Sequence, residues 1–242
     1  VKVGIIGRNG FIGSALAERF SSHEIYSYPR KDLDILYHFG SPSSDIIFKQ
    51  NMDWCFNETI QSFLHCIQFC RDNKIRFVYP SSATVYQGIT VYSKAKRCLE
   101  EIHSAYGGDV LGLRIFAGYG VGEEHKGEYS SIIYQFCLQM ANGVKPVIYG
   151  DGNQTRDFIY IDDIVEAIIE YSQTNGMRDI GTGINTSFNE IIRLINKSLH
   201  TSISPIYVDK PSRYADETPC NNPVKCAVSI EEGIDRICKT LL

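Results

Sequence analysis

Tyr92 and Lys96 are the two ends of Tyr92-Ser93-Lys94-Ala95-Lys96. On a helix that spacing places a phenol and an ammonium on one face, one turn apart. A phenol ionises near pH 10, too high to act as a base at neutral pH. At about 5 Å and an effective dielectric of about 20, an ammonium favours the phenolate by roughly 3 kcal/mol, or about two pH units. Lys96 is thus placed to make Tyr92 a proton-transfer group. Tyr-x-x-x-Lys also arises by chance, so its chemistry depends on what the chain gathers around it.

Two stretches supply that surrounding. An apolar run at 75–79 reads as a strand and leads into Pro80-Ser81-Ser82-Ala83-Thr84-Val85-Tyr86. In an open parallel α/β sheet, ligands bind beyond the carboxyl ends of the strands, which is where Ser82 falls. Earlier, Gly7-Arg8-Asn9-Gly10-Phe11-Ile12-Gly13 lies between a strand-like segment at 1–6 and an amphipathic helix carrying Leu16, Ala17 and Phe20. A second strand at 23–28 completes a β-α-β unit. Glycines at such a turn let a pyrophosphate approach the backbone and aim the helix N-terminus at its charge. A dinucleotide site is expected here. About 20 residues on, an acid would bond the ribose 2′-hydroxyl of NAD, yet the place holds Tyr28-Pro29-Arg30-Lys31. Arg30, with Arg8, could meet the 2′-phosphate of NADP. That favours NADP over NAD, the alternative being that Arg30 and Lys31 are solvated turn residues.

The elements that must position these groups alternate. A buried strand at 34–40 ends in a small-residue loop at 41–44. The stripe Ile60, Phe63, Leu64 and Ile67 predicts a helix over 57–72. After the helix bearing Tyr92 come a strand at 110–116, a glycine-rich loop at 117–129 and a helix at 131–142 closed by Gly143. A short strand then leads to a helix at 164–171, its N-cap drawn from Asp162 and Asp163. Capping boxes Ser187…Glu190 and Ser229…Glu232 open two last helices.

Bulk properties narrow the class. At 242 residues, 43% hydrophobic and 21% charged, the chain is one large domain or two interlocked ones. A formal net charge of -4 gives no reason to expect nucleic acid or an anionic membrane as partner. No apolar run is long enough to cross a bilayer, and no basic-then-apolar secretory segment opens the sequence. The eight cysteines form no Cys-x-x-Cys pair and meet no histidine cluster, so no metal site is expected. Cys66 and Cys70 share a helix face as core residues. All eight read as reduced thiols of a cytoplasmic protein.

Five segments together resemble the extended short-chain dehydrogenase/reductases, in particular the nucleotide-sugar epimerase/dehydratase/reductase group. They are the glycine loop, Ser81 to Tyr86, Tyr92…Lys96…Glu100, Leu113-Arg114-Ile115-Phe116, and Gly150-Asp151-Gly152-Asn153-Gln154-Thr155-Arg156-Asp157-Phe158-Ile159-Tyr160-Ile161-Asp162-Asp163. The resemblance implies an α/β fold, a Rossmann-type doubly wound parallel sheet with a small interleaved C-terminal substrate-binding region. The dinucleotide-binding part is expected at 1–116 plus 155–182, the substrate-binding part at 117–154 plus 183–242. It also implies a homodimer formed through the helix at 57–72 and the helix bearing Tyr92.

Site residues follow from the resemblance. Tyr92 is the implied proton donor or acceptor, Lys96 tunes it and binds the nicotinamide ribose, and Ser82 bonds the reacting sugar oxygen. Gly7, Arg8, Gly10, Phe11, Ile12, Gly13, Arg30 and Phe39 join Tyr92 and Lys96 on the cofactor. Thr84, Arg156 and Arg213 fall to the substrate, with Arg156 and Arg213 on its diphosphate. A competing register makes Lys94 the lysine and puts Thr90 where the tyrosine belongs. Ala83 and Thr84 stand where the family's dehydratases carry an acidic pair, which speaks against dehydration. The chain is also shorter than the family pattern between its second strand and Asp34 and between Ser82 and Tyr92. The function implied is an NAD(P)-dependent 4-keto reductase or epimerase acting on a nucleotide-linked sugar. The alternative is a dinucleotide-binding sensor or scaffold with little catalysis.

Overall fold

The computed structural model describes residues 1–211 and 215–242. The first elements are β1 (Lys2–Ile6), α1 (Phe11–Arg19), β2 (Glu24–Tyr26), β3 (Ile35–His38), α2 (Asp45–Gln50), α3 (Met52–Phe56), α4 (Ser62–Asn73), β4 (Arg76–Ser82), α5 (Val91–Tyr106) and β5 (Val110–Ile115). There follow β6 (Ala117–Tyr119), α6 (Ile132–Ala141), β7 (Val147–Tyr149), β8 (Thr155–Tyr160), α7 (Ile161–Tyr171), β9 (Gly176–Ile180), β10 (Asn185–Ser187), α8 (Phe188–Leu199), β11 (Ile206–Val208) and α9 (Ile230–Leu241). Among the described residues no helix is long and apolar enough to cross a membrane.

The chain divides into two units, Val1–Ile115 with Val165–Asp179 and Phe116–Ile164 with Ile180–Leu242. The first holds a sheet of order β2-β1-β3-β4-β5-β9, and the pairs β1/β2, β1/β3, β3/β4 and β4/β5 are all parallel. Alternation along the strands feeds both faces of the sheet. Leu36, Phe77 and Tyr79 join Phe63, Ile67 and Leu99 of α4 and α5 in one buried cluster. Tyr37, one residue from Leu36, points the other way and meets Phe20 just beyond α1 at 5.6 Å between ring centroids. Helices thus cover both faces, as a doubly wound sheet requires. The usual order 3-2-1-4-5-6 lacks its outermost strand. β2 is the edge, and the chain passes from Tyr26 to Ile35 on the far side of β1 without a helix between.

The helix predicted over 57–72 begins earlier. Its stripe is buried at Phe63, Cys66, Ile67 and Cys70, but helical structure starts at α2 and continues through α3 and a π turn at Asn57–Gln61. Two polar caps explain the start: Ser44 Oγ accepts from Ile47 N and Asn51 Oδ1 from Trp54 N.

The second unit pairs β8 with β6 in parallel and with β10 antiparallel, beside a separate parallel pair, β7 and β11. Segment 155–164, expected with the dinucleotide domain, belongs here because β8 finds its partners in β6 and β10. The loop expected at 117–129 contains β6 and a 3-10 turn, Glu124–Tyr129. Asp163 does not cap α7. It is buried and accepts from Ala227 N at 2.7 Å and Val228 N at 3.1 Å. Asp157, also buried, accepts from Thr182 N, Thr182 Oγ1 and Gly183 N at 2.7–2.8 Å. Of the two expected capping boxes, Ser187 and Ser229 do accept from Glu190 N and Glu232 N. The glutamates do not reach back; Glu190 pairs with Arg193 and Glu232 with Arg236.

Candidate active site

The glycine loop is closed by backbone contacts that tolerate no side chain. Gly7 has φ +83°, and a Cβ there would lie 2.5 Å from Gly40 N in the loop after β3. A Cβ on Gly13 would lie 2.0 Å from Gly7 O, so α1 packs directly on the turn. Gly10 at the N-cap has no side chain to accept from the first N–H groups, and the first turn of α1 carries no acid. The positive end of the helix favours an anion at this turn. This cradle fits a dinucleotide pyrophosphate: Gly7, Gly10 and Gly13 shape it, and Phe11 and Ile12 open the helix above it.

Beyond the carboxyl ends of β3 and β4, three side chains of the first unit converge. Ser82 ends β4 and is buried; its Oγ takes hydrogen bonds from Thr84 N at 3.3 Å and Thr84 Oγ1 at 3.0 Å. Ser82 lies close enough to the Tyr92 phenol to ease its ionisation. α5 presents Tyr92 and Lys96 inward because Thr90 caps it in a true capping box with Ser93. Lys96 is 2% exposed, and its Nζ donates to Ser41 Oγ and to Pro80 O, each at 3.0 Å. Lys94 points to solvent and the Thr90 hydroxyl is spent on Ser93 N, so the register built on Lys94 brings no lysine inward.

The electrostatics differ from the expectation. Burial pushes the Tyr92 phenol up to about 12, with Ser82 pulling the other way. Burial brings the Lys96 ammonium down to about 8. Lys96 Nζ lies 5.8 Å from the Tyr92 ring centroid with two of its three protons on neutral oxygens. The lowering read from the spacing is not realised, because desolvation outweighs the field of an ammonium committed elsewhere. His38, at the end of β3, is buried, bonded through Nε2 to Ser62 Oγ at 2.6 Å and held down to about 4 by burial and by Lys96.

A second layer fixes the strand end. Ser81 Oγ donates to Glu100 Oε1 at 2.5 Å, and Glu100 accepts two bonds from Arg114 at 2.9 and 2.7 Å. Arg114 NH1 donates to Tyr86 Oη at 2.8 Å, and Tyr86 donates to Asp179. Glu100 and Arg114 therefore bind α5 to β4 and β5 one residue from Ser82.

Other expected residues fall elsewhere. Phe39 is half-buried beside the glycine loop, and Arg8 is exposed. Arg30 makes two 2.9 Å bonds to Asp32, lies 4.1 Å over the Tyr26 ring, and shares Asp32 with Lys2 at the start of β1. It is paired at the end of the sheet where strands begin. Arg156 belongs to the second unit, with its guanidinium donating to Thr155 O and Ala215 O. Arg213 lies outside the described residues. Ser41 and His38 were missed as site residues; their only signal was their place at the carboxyl end of a predicted parallel strand.

The family model described as NAD dependent epimerase/dehydratase family matches residues 26–181, more than half of the chain. The chain belongs to that family. Its fold is shared with UDP-N-acetylglucosamine 4-epimerase from Methanobrevibacter ruminantium M1, solved with UDP-N-acetylmuramic acid, at TM-score 0.88 and 22% identity over 98% of this chain and 97% of that one. UDP-glucose 4-epimerase from Thermus thermophilus, solved with NAD, aligns at TM-score 0.85 and 16% identity over 100% and 99%. The hexosamine 5,6-dehydratase TunA of tunicamycin biosynthesis aligns at 0.85 and 21% over 99% and 97%. Membership in an NAD-dependent family, with Arg30 tied to Asp32, leaves the NADP preference unsupported.

Proposed function

We propose that the protein is an NAD-linked epimerase of a nucleotide-linked hexose, working through a transient keto sugar. The observation that carries this reading is the junction of Ser82, Tyr92 and Lys96 beyond β3 and β4, next to the glycine cradle. NAD, when bound, supplies a hydride acceptor that can return what it takes. The chain's own groups handle the proton and the position. Ser82 holds the sugar oxygen by a hydrogen bond. Tyr92 as phenolate takes the proton of the sugar hydroxyl in the oxidative half-reaction, and the phenol so formed returns it to the keto oxygen when the sugar is reduced. Lys96 favours the phenolate from which each turnover starts and to which it returns.

Epimerisation is preferred to a 4-keto reductase because Arg30, the residue that favoured NADP, is already paired. Ala83 and Thr84 in place of an acidic pair argue against dehydration. Arg156 is assigned to the substrate diphosphate, and Thr84 to orienting Ser82. A homodimer through α4 and α5 belongs to the same proposal. Those helices turn His65, Gln68, Lys94, Arg97 and Glu101 outward, a polar face suited to a modest contact rather than an obligate one.

The test is incubation with UDP-, dTDP- and GDP-hexoses in the presence of NAD, with epimers resolved by NMR. Tyr92→Phe should lose about 10²–10⁴ in rate with the fold intact. Full activity in that variant refutes the mechanism. Tight NAD binding with no turnover of any sugar favours a binding protein instead.

A further inference from the structure

Lys96 is the one site group whose charge the fold leaves without a counter-charge. Its ammonium is 2% exposed, and among the described residues no carboxylate lies within ion-pair distance. A buried ammonium is stable only when its protons reach good acceptors. Two acceptors are present, Pro80 O and Ser41 Oγ, each at 3.0 Å. Pro80 O is backbone of β4 and cannot be varied by side chain. Among the described residues Ser41 is the single side chain that holds Lys96, and it reaches across from the loop after β3.

We propose that Ser41 is a positioning residue that fixes the Lys96 ammonium between the carboxyl ends of β3 and β4 and keeps it protonated beside Tyr92. The proposal rests on the catalytic reading of Tyr92 and Lys96 given above. Ser41 directly follows Gly40, the residue whose backbone packs against Gly7 of the cradle. The hydroxyl therefore ties the lysine to the same loop that closes on the glycine turn.

The neighbouring titratable groups do not replace it. Tyr92, one turn earlier on α5, has its ionisation opposed by burial. His38 from β3 is held neutral by burial and by Lys96 itself. Cys55 of α3 lies in the apolar cluster around Tyr92 and has its thiol raised by burial. Glu100 is taken by Ser81 and Arg114. Loss of the Ser41 hydroxyl leaves the ammonium one fixed acceptor, and deprotonation becomes easier.

The experiment titrates Lys96 directly. Protein carrying ¹⁵N-lysine is followed by NMR at Nζ, with the Lys96 signal assigned by its disappearance in Lys96→Arg. In Ser41→Ala the midpoint should fall by about one to two pH units, the size of one hydrogen bond to a charged group. Ser41→Thr keeps the hydroxyl and should restore it. In turnover assays the alkaline limb of the kcat profile should move down by the same amount in Ser41→Ala, with the KM for the sugar unchanged. An unchanged Lys96 midpoint in a folded Ser41→Ala protein overturns the proposal. So does a Ser41→Thr midpoint no closer to wild type than that of Ser41→Ala. The NMR midpoint needs no turnover, whereas loss of activity in Tyr92→Phe tests the catalytic reading alone, so the two failures are distinguishable.

Discussion

Replacing Lys96 by Met should make the first unit less dependent on pH. Lys96 ionises at 10.5 in an unfolded chain and at about 8 in the fold, with burial as the cause. At about 1.4 kcal/mol per pH unit, that drop amounts to about 3 kcal/mol. Below pH 8 both states hold the proton, and the folded state carries the full cost of burying it. Between pH 8 and 10.5 the unfolded chain retains a proton the folded chain has released, so wild-type stability climbs with pH. Above 10.5 neither state is charged, and the cost has gone. Lys96→Met removes this dependence while keeping an unbranched side chain of similar reach. It also strips Pro80 O and Ser41 Oγ of their donor, a loss of about 1–3 kcal/mol that does not vary with pH. The variant should therefore lie close to wild type or above it at pH 7, and fall behind by about 1–3 kcal/mol at pH 10.5. Trp54 is the only tryptophan and lies in the first unit, so its fluorescence follows that unit in urea titrations. Tyrosines and thiols common to both proteins cancel in the difference. A difference that stays flat from pH 7 to 10.5, or runs the other way, refutes the reasoning.

Gly13→Ala places a Cβ 2.0 Å from Gly7 O, a backbone atom that cannot swing away; α1 must lift, costing about 1–3 kcal/mol in stability and weakening NAD at least tenfold by calorimetry. Gly10→Ala, with its nearest contact at 3.3 Å, should keep most of both, and equal losses in the two variants would contradict the assigned packing. Glu100→Gln removes the charge that accepts two bonds from Arg114 and one from Ser81, and thermal unfolding should show a loss of about 2–3 kcal/mol. A loss below about 0.5 kcal/mol would mean that the pair contributes little to joining α5 to β4 and β5.

The site was legible where a residue's requirement is local. Gly7 needs a positive φ and Gly13 needs helix and turn in contact, and glycine alone meets both conditions. Helical periodicity is likewise local, and it set Tyr92 and Lys96 on one inward face of α5. What failed was local inference about partners that are distant in sequence. Lys2 stands 30 residues from Asp32, the carboxylate it shares with Arg30, and only the fold brings the three together. Asp163 reads as an N-cap, yet its acceptors are used by backbone N–H groups 64 and 65 residues later. Ser41 stands 55 residues from Lys96, and only the parallel order β3-β4 makes them neighbours.

Charge accounting separates scaffold from site more sharply than motif matching does. Glu100 has an arginine and a serine. Asp157 has three donors, and Glu123 holds Lys126, Ser131 and the Gly120 amide. Each of these acids is satisfied by the fold, and each stabilises a loop or a strand end. Lys96 is as deeply buried as Asp157 and Glu123 but rests on two neutral oxygens. A chain selected for stability alone would not keep an ammonium there, since an apolar side chain of that length avoids the desolvation cost. Places where a protein departs from the rules of burial are expected to be functional. The cost is borne one helical turn from a phenol whose own ionisation burial opposes. An unmatched positive charge at that point is what a phenolate at Tyr92 requires.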